Sequence, residues 1–515
     1  MMHATRELAP SPSRGGPGRG WVSSHAHTIP TQTLPLKGRA FIVAALTMAL
    51  AACASTHGLH TTGHAIAPDS LQTRQSLAGV PVSPAAWPRQ DWWQALGDPQ
   101  LDALIAEALR DNPGLAVADA RAQLAQSQAQ ALDAAREPSV EASYAATGAR
   151  LSEKEVGMVL PEAVGTFAWM QSAGIDFSWN LDLWGGQRAA WEAALGRSRA
   201  AEVDRRAARI QLSANVALAY IQLRQAFVLR DIARCDVERA DRIAKLTHTL
   251  VASGMGLPDT LLHARAEAGT AQQHLTAAEA AIDSARISLA VLLGKGPDRG
   301  LQITTPAAPR PVSLAVPPDL TANLLGRRPD LVAARWRVEA AAQDIKAAKA
   351  EFLPNLNLSA MAGFLALGDN VPLFQLPART YSVGPALSLP LFDGKRLRAG
   401  LDARDAVYDG AVADYNQTLV RAVNQVADLL SLSRAVQSQL QTQQDVLHNA
   451  QRAYDNAQIG YKAGLGTELN TLIARRMLLA AEQNQAVLQT RQAELAVRMV
   501  EALGGGFQDE SAPAK

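Results

Sequence analysis

An internal duplication limits the folds open to this chain more than any other feature of its sequence. The segment NPGLAVADARAQLAQSQAQALDAAREP ends at Pro138, and RPDLVAARWRVEAAAQDIKAAKAEFLP ends at Pro354. Their first prolines, Pro113 and Pro329, and their last prolines are both 216 positions apart. A spacing that is kept across a whole segment indicates two copies of one structural unit.

Two later landmarks repeat at nearly the same distance. NLDLWGGQR at 180–188 corresponds to SLPLFDGKR at 388–396, an offset of 208, and the Gly-x-Gly turn at 254–256 corresponds to that at 464–466, an offset of 210. Three landmarks with a near-constant offset are strong evidence for two repeats. We place the repeats at residues 85–300 and 301–506.

The hydrophobic periodicity changes in the same order within each repeat. Residues 114–136 and 330–352 are rich in Ala and nearly free of Gly and Pro, which predicts helices. Each is followed by two runs in which apolar and polar residues alternate. This pattern is typical of strands with one apolar and one polar face. We predict four strands, at about 139–149, 172–183, 355–365 and 380–391.

Each strand pair is followed by a very long helical segment, at about 190–250 and about 396–460. At 1.5 Å per residue, a helix of some 60 residues is about 90 Å long, far longer than a globular helix. The glycine turns at 254–256 and 464–466 then reverse the chain. We therefore predict two helical hairpins, at about 188–294 and 396–504, that pack as coiled-coil or wall elements.

The N-terminal part predicts export and lipidation. Lys37 and Arg39 precede the apolar run AFIVAALTMALAA at 40–52, which is too short to span a bilayer as a helix and is typical of a secretory signal. The segment LAAC, which ends at Cys53, resembles the lipobox of bacterial lipoproteins, whose cysteine receives diacylglycerol and an N-acyl chain. An ordinary signal with a chance cysteine is the alternative.

These features define the remaining boundaries. We interpret residues 1–52 as an N-terminal extension outside the fold followed by the signal region, and we place the translation start downstream of Met1. Residues 53–84 are poor in order-promoting residues and predict a lipidated linker, and residues 507–515 predict a flexible tail. His57, His60 and His64 in the linker have no Cys or carboxylate partners in sequence, so we interpret them as solvated rather than metal-binding. Cys235 is interpreted as a small packing residue.

Composition and motifs exclude other functions. Lys and Arg number 49 against 48 Asp and Glu, which argues against a nucleic-acid partner. Hydrophobic residues make up 48% but aromatics only 5%, which favours long helices packed through small side chains. No nucleophile elbow, Walker loop or metal-ligand spacing occurs, so we predict neither an enzyme nor a cofactor beyond the lipid on Cys53. A periplasmic coiled-coil adaptor or a structural lipoprotein is the alternative, but an adaptor would lack the two strand pairs.

The number of strands bears on assembly. A strand of about ten residues with one apolar face matches a transmembrane β-barrel strand. Four strands cannot close a barrel, since about eight is the smallest practical number, and open edges in lipid leave backbone groups unpaired. Several chains must then share one barrel, and three chains would supply twelve strands.

The chain resembles the outer membrane factors of the TolC and OprM type, in the lipidated NodT-like branch that serves resistance-nodulation-division (RND) efflux systems. The resemblance covers 92–506 and rests on WWQALGDPQL at 92–101, LDLWG at 181–185, RRPDL at 327–331, FLP at 352–354, LFDG at 391–394 and ALGGG at 502–506. It implies an α+β, mainly α fold: a trimeric channel-tunnel with a shared 12-stranded β-barrel and a long periplasmic α-helical barrel. It also implies a homotrimer in outer-membrane lipid, with a periplasmic adaptor and an inner-membrane RND-type transporter as partners.

The resemblance also points to a periplasmic gate at the helix-hairpin tips. Leu469 matches an apolar gate residue of OprM-type relatives, whereas Ile473 stands where an aspartate is expected. Asp259 and Glu468, near the two tips, are the candidate acidic substitutes, although both also suit helix N-termini on dipole grounds alone. Gly254, Gly256, Gly464 and Gly466 are the candidate tip turns, where glycine permits a positive φ.

Overall fold

The computed structural model describes residues 58–72, 75, 87–150, 167–308, 320–368 and 371–509. Cys53 and the signal region lie outside these ranges, and so do residues 73–74, 76–86 and 510–515. Among the described helices, none combines the length and the apolar character that a membrane-crossing helix needs.

Each repeat contains the same succession of elements. The first repeat contains helices α1 (Pro99–Asp111) and α2 (Pro113–Ala134), strands β1 (Ser139–Arg150) and β2 (Phe167–Leu181), helices α3 (Gly186–Ala252) and α4 (Pro258–Leu292), and the short α5 (Asp298–Leu301). The second contains α6 (Leu320–Arg327), α7 (Pro329–Ala350), β3 (Asn355–Leu367), β4 (Arg379–Ser388), α8 (Gly394–Lys462) and α9 (Glu468–Ala502). With 67 and 69 residues, α3 and α8 each extend about 100 Å.

The four strands form one antiparallel sheet in the order β1-β2-β3-β4. Its register aligns the apolar residues of all four strands, so that Val140, Phe177, Ala360 and Val383 stand in one row across the sheet. The neighbouring row, Glu141, Asp176, Met361 and Ser382, belongs to the opposite face. The sheet therefore has one apolar face, and the outer edges of β1 and β4 have no partner strand among the described residues.

Two strand ends differ from the sequence prediction by three residues or more. β2 begins at Phe167, five residues before the predicted start, because Trp169 and Phe167 continue the apolar parity beyond Gln171, which interrupts it. β4 ends at Ser388, three residues early. Pro390 follows, and its missing N–H does not support further pairing. Pro385 lies within β4, which is tolerated because β4 is an edge strand.

Small side chains allow the long helices to pack closely. α7 lies between α3 and α8, while α4 packs along α3, α9 along α8, and α9 also against α3. At Gly196 of α3, an added Cβ would lie 3.1 Å from Ala340 Cβ of α7, and at Gly186 it would lie 2.7 Å from Ala350 Cβ. The alanine-rich composition thus brings the backbones of α3 and α7 together, in place of a thick aromatic core.

The sequence motifs build the packing around the middle of the long helices. Asp98 of the WWQALGDPQL motif caps α1 and accepts a hydrogen bond from the Tyr220 hydroxyl of α3 at 2.7 Å. Arg328 of the RRPDL motif is buried, pairs with Asp330 and donates to the Ala502 carbonyl at the end of α9 at 3.1 Å. These contacts join each short helix to the long helix beside it.

The tail prediction is wrong for residues 507–509. Phe507 is buried against Ala200, Val203, Val332 and Ala333, and Asp509 accepts a hydrogen bond from Arg335 at 3.0 Å. Local composition could not reveal these contacts, because the partners come from distant helices. The chain is therefore held to the helices as far as Asp509.

Within the predicted lipidated linker, residues 58–72, which we call the strap, are bound to the helices, so the expectation of low order is wrong for them. The strap lies along α8, where Asp409 and Asn416 bind its backbone, and Leu71 packs against the apolar cluster of α8 and α6. The strap has few order-promoting residues of its own, and hydrogen bonds from α8 side chains hold it in place instead.

We expect Arg328→Met to lower stability by about 1–3 kcal/mol, because the buried Ala502 carbonyl loses its charged donor and Asp330 loses its ion pair. Arg188→Met is the control, since its partner Glu192 lies one turn away and the Arg188 side chain is 68% exposed. The thermal unfolding midpoint of the detergent-solubilised protein, followed by circular dichroism, should fall clearly for the first variant only. Equal midpoints would contradict the role assigned to Arg328.

Candidate functional site

The two hairpin turns have the same backbone structure. α3 ends at Ala252, and the N–H groups of Gly254 and Met255 donate to the carbonyls of Val251 and Leu250 at 3.0 and 2.8 Å. At the end of α8, Gly464 and Leu465 donate to Tyr461 and Gly460 at the same two distances. Both patterns are Schellman motifs, which satisfy the last carbonyls of a helix and release the chain through one left-handed residue.

Only one glycine of each turn has the predicted positive φ. Gly254 and Gly464 both have φ +73°, whereas Gly256 and Gly466 do not lie in the left-handed region. Gly256 is restricted by space instead, because an added Cβ would lie 3.1 Å from Val251 Cγ2. Gly466 is not restricted, since its nearest atoms would be 3.8 Å away.

The turns differ in how the returning helix starts. α4 begins with Pro258 at its first position, whereas the Thr467 side chain caps α9 by accepting from the Asn470 N–H at 3.3 Å. Both tips expose apolar side chains to solvent: Met255 is 74% exposed and Leu465 is 87% exposed. Such residues at the end of a helical hairpin make an apolar contact surface available to a partner.

Glu468 joins the two hairpins. Arg242 of α3 donates through Nε to Glu468 Oε1 at 2.6 Å and through Nη2 to Oε2 at 3.0 Å, and the Tyr461 hydroxyl lies 3.5 Å from Oε2. These hydrogen bonds hold the pKa of Glu468 below its usual value, with the Arg242 bond as the largest cause. We call this contact between α3 and α9 the tip seam.

A second ion-pair group lies further from the tips. Arg239 of α3 is buried and donates to Asp236 at 2.7 Å and to Glu267 of α4 at 2.8 Å. Arg476 of α9 lies 3.7 Å from the same Glu267 oxygen. One carboxylate therefore contacts arginines of both α3 and α9, so the seam is continued beyond Glu468.

The other candidate gate residues are not brought into this seam. Asp259 is exposed in the first turn of α4, and no ion pair involves it within the part of the chain that the structure describes. Leu469 and Ile473 lie one turn apart on α9 and are 39% and 50% exposed. Of the two candidate carboxylates, only Glu468 bridges the hairpins.

Sequence reasoning missed Arg242, Arg239 and Glu267. Arg242 and Glu468 are 226 positions apart, and each repeat contains many similar charges along its helices. To select this pair from the sequence, one would have to know which helices are neighbours. The bidentate geometry becomes evident only from the packing of α9 on α3.

The two repeats also match a known family. The sequence model of the outer membrane efflux proteins matches residues 104–295 and 320–505, one match in each repeat. This chain belongs to the outer membrane efflux protein family. It is a channel component of an efflux system.

Named relatives are similar in sequence to this efflux protein over most of its length. Multidrug resistance outer membrane protein MdtP of Shigella flexneri is 31% identical over 437 residues, covering 83% of this chain and 89% of the relative. Pyoverdine export outer membrane protein OpmQ of Pseudomonas aeruginosa is 32% identical over 467 residues, covering 90% and 95%. The crystal structure of the outer membrane protein VceC from Vibrio cholerae is similar, with a TM-score of 0.74, 34% identity, and coverage of 82% of this chain and 100% of VceC.

In this efflux protein we expect Gly464→Val to loosen the second tip, because a left-handed L-residue costs about 1–2 kcal/mol. Gly466→Ala is the matched control, since a Cβ fits there. Hydrogen–deuterium exchange of residues 455–475 should accelerate in Gly464→Val alone. Efflux should fall in the same variant, with strand content unchanged. Full efflux and native exchange in Gly464→Val would contradict the assignment of this turn.

Proposed function

We propose that three copies of this chain form a passive export duct through the outer membrane, as the outer component of a tripartite efflux pump. A periplasmic adaptor and an inner-membrane RND-type transporter would deliver small molecules, including drugs, to its periplasmic end. The observation that carries this proposal is the four-stranded sheet with one apolar face and two open edges.

The apolar face suits lipid. Val140, Ile175, Tyr381 and Val383 on it are 68%, 56%, 79% and 77% exposed, so no other part of the described chain covers them. In a bilayer, however, the unpaired N–H and C=O groups of β1 and β4 would each cost several kcal/mol. Pairing β1 of one copy with β4 of the next removes both edges, and three copies give twelve strands. An adaptor or a structural lipoprotein has no need of such a sheet.

A comparison of the two repeats supports the same seam between copies. Positions that are 216 apart match in α2 and α7, and α7 packs between α3 and α8. Ala333, Ala340 and Ala348 of α7 are 0%, 2% and 9% exposed. Their counterparts in α2, Val117, Leu124 and Leu132, are 51%, 59% and 38% exposed. α2 packs on α3 as α7 packs on α8, and its apolar stripe corresponds to the surface where Ala333 and Ala340 of α7 contact α3. Since α8 is the counterpart of α3 in the second repeat, the α8 of a second copy is the fitting partner.

The hairpin tips are the proposed adaptor-docking and gating end. They lie at the far ends of α3 and α8, which begin beside the strands and extend about 100 Å. The exposed Met255 and Leu465 would contact the adaptor. The tip seam would hold neighbouring hairpins together in the closed duct, and opening would require the Arg242–Glu468 pair to separate.

Cys53 is the proposed lipidation site, and the lipid would anchor the chain while the strands supply most of the membrane insertion. The basic and apolar segments before Cys53 and the LAAC sequence support this assignment. Lipidation would leave Cys235 without a disulfide partner, since the chain has only two cysteines.

The trimer seam is tested by Leu124→Glu. A charge in the apolar stripe of α2 should abolish the assembly, because an unpaired carboxylate would be buried against α8 of the next copy. Gln130→Glu is the control, since its counterpart Lys346 in α7 is exposed. In a deletion strain, efflux of a fluorescent dye should be lost for Leu124→Glu and kept for Gln130→Glu. An active Leu124→Glu trimer would contradict the proposed seam.

The gate is tested by Glu468→Gln, with Asp259→Asn as the control. The former removes one charge of the tip seam, and its conductance in planar bilayers should rise, whereas Asp259→Asn should conduct like the native protein. Because the pKa of Glu468 is lowered, its pair stabilises the closed state above the ordinary glutamate pKa and loses this effect as the pH falls through the lowered value. Conductance of the native protein should therefore rise on acidification, and this rise should be weaker in Glu468→Gln. Identical native and Glu468→Gln conductance at all pH values would rule out this role.

A further inference from the structure

The strap is bound to α8 at two polar points. At the first, Asp409 accepts hydrogen bonds from the Gly63 N–H at 2.8 Å, the Thr62 N–H at 3.0 Å and the Thr62 hydroxyl at 2.6 Å. These three donors hold the pKa of Asp409 below its usual value, the Thr62 hydroxyl contributing most. Charged hydrogen bonds of this kind are about twice as strong as neutral ones.

Asn416 makes the second point, two turns further along α8. Its Oδ1 accepts from the Ile66 N–H at 2.8 Å, and its Nδ2 donates to the His64 carbonyl at 2.8 Å. One amide side chain thus pairs with the strap backbone through both a donor and an acceptor, as a neighbouring strand would. The binding depends on backbone groups, so it fixes the register of the strap on α8.

The strap is also held by shape. At Gly63 an added Cβ would lie 3.0 Å from Asp409 Oδ1 and 3.2 Å from Val412 Cβ, so a side chain at this position would push the strap away. At its membrane-side end, Leu59 packs against the cluster that contains Leu397 and Leu401 of α8. The strap therefore runs parallel to α8, and its N-terminal end lies near the end of α8 that is joined to the sheet.

The position of Leu59 limits how far the N-terminal chain can reach. Leu401 is seven residues after Gly394, so it lies about 10 Å along α8 from the helix start. Six peptide steps separate Cys53 from Leu59 and span at most about 20 Å. A docked strap therefore lets Cys53 reach the level of the strand ends with about 10 Å to spare.

We propose that Asp409 and Asn416 form a docking site for the chain's own lipidated segment, and that this site fixes the distance between the lipid on Cys53 and the long helices. Asp409 and Asn416 are positioning residues, because they act on the anchor through the strap. The proposal rests on the proposed lipidation of Cys53. It makes the strap part of the mechanism that sets the depth of the sheet in the membrane.

Docking itself is tested by hydrogen–deuterium exchange of Gly63 and Ile66 in the full-length protein in lipid nanodiscs. Exchange at Gly63 should accelerate at least tenfold in Asp409→Asn, because its charged acceptor is lost. Asp414→Asn, which removes an exposed charge from the same helix, should leave the exchange unchanged. Equal exchange in the two variants would overturn the docking site.

The positioning role is tested by shortening the tether. Deletion of residues 55–58 leaves two peptide steps between Cys53 and Leu59, which span at most about 7 Å and fall short of the distance of about 10 Å. In the acylated protein this deletion should strain the strap and accelerate exchange at Gly63 and Ile66 at least tenfold. Adding Cys53→Ser to the deletion should restore the native exchange rate, because no lipid then pulls on the strap.

Mass spectrometry of the N-terminal peptide distinguishes failure of the positioning role from failure of the proposed lipidation. Native exchange in a shortened protein that carries the lipid overturns the positioning role and leaves the proposed lipidation intact. A native protein without lipid on Cys53 overturns the lipidation and the positioning role together, whereas the Asp409→Asn comparison still tests docking.

Discussion

Unpaired backbone groups at the sheet edges govern the rest of the architecture. A four-stranded sheet with an exposed apolar face has two edges, at β1 and β4, whose N–H and C=O groups need partners in lipid. The described residues contain no further strand that could supply these partners, because the order β1-β2-β3-β4 uses each of their four strands once. The proposed assembly follows from this constraint, and the long helices below the strands must adopt the same symmetry.

The corresponding helices of the two repeats, α2 and α7, have different surroundings. α7 lies between long helices of its own chain and uses alanines at positions where α2 has Val117, Leu124 and Leu132. The larger α2 side chains suit a contact with a separate molecule, since they bury more apolar area and so contribute more to association. In the proposed trimer, the six repeats would form a pseudo-sixfold arrangement, in which one of every two seams lies within a chain and the other is an interface between chains.

Several features followed from local signals in the sequence. Alternation predicted the strands, apolar residues spaced three and four apart predicted α3 and α8, and the Gly-x-Gly segments predicted the turns. The predictions for individual residues were less accurate. Of the four turn glycines only Gly254 and Gly464 have a positive φ, and β2 begins at Phe167 and not at about residue 172. The remaining features depend on contacts between distant segments. Glu468 was a candidate on position alone, whereas its partner Arg242, the burial of Phe507 and the binding of the strap by Asp409 require the tertiary arrangement.

Native mass spectrometry of the detergent-extracted efflux protein tests the central claim most directly, when it is combined with circular dichroism of the same sample. The account predicts a trimer as the only folded species, because the edges of β1 and β4 cannot remain open in an apolar medium. A stable monomer that retains its β signal would contradict it, since a sheet with two open edges would then be sufficient.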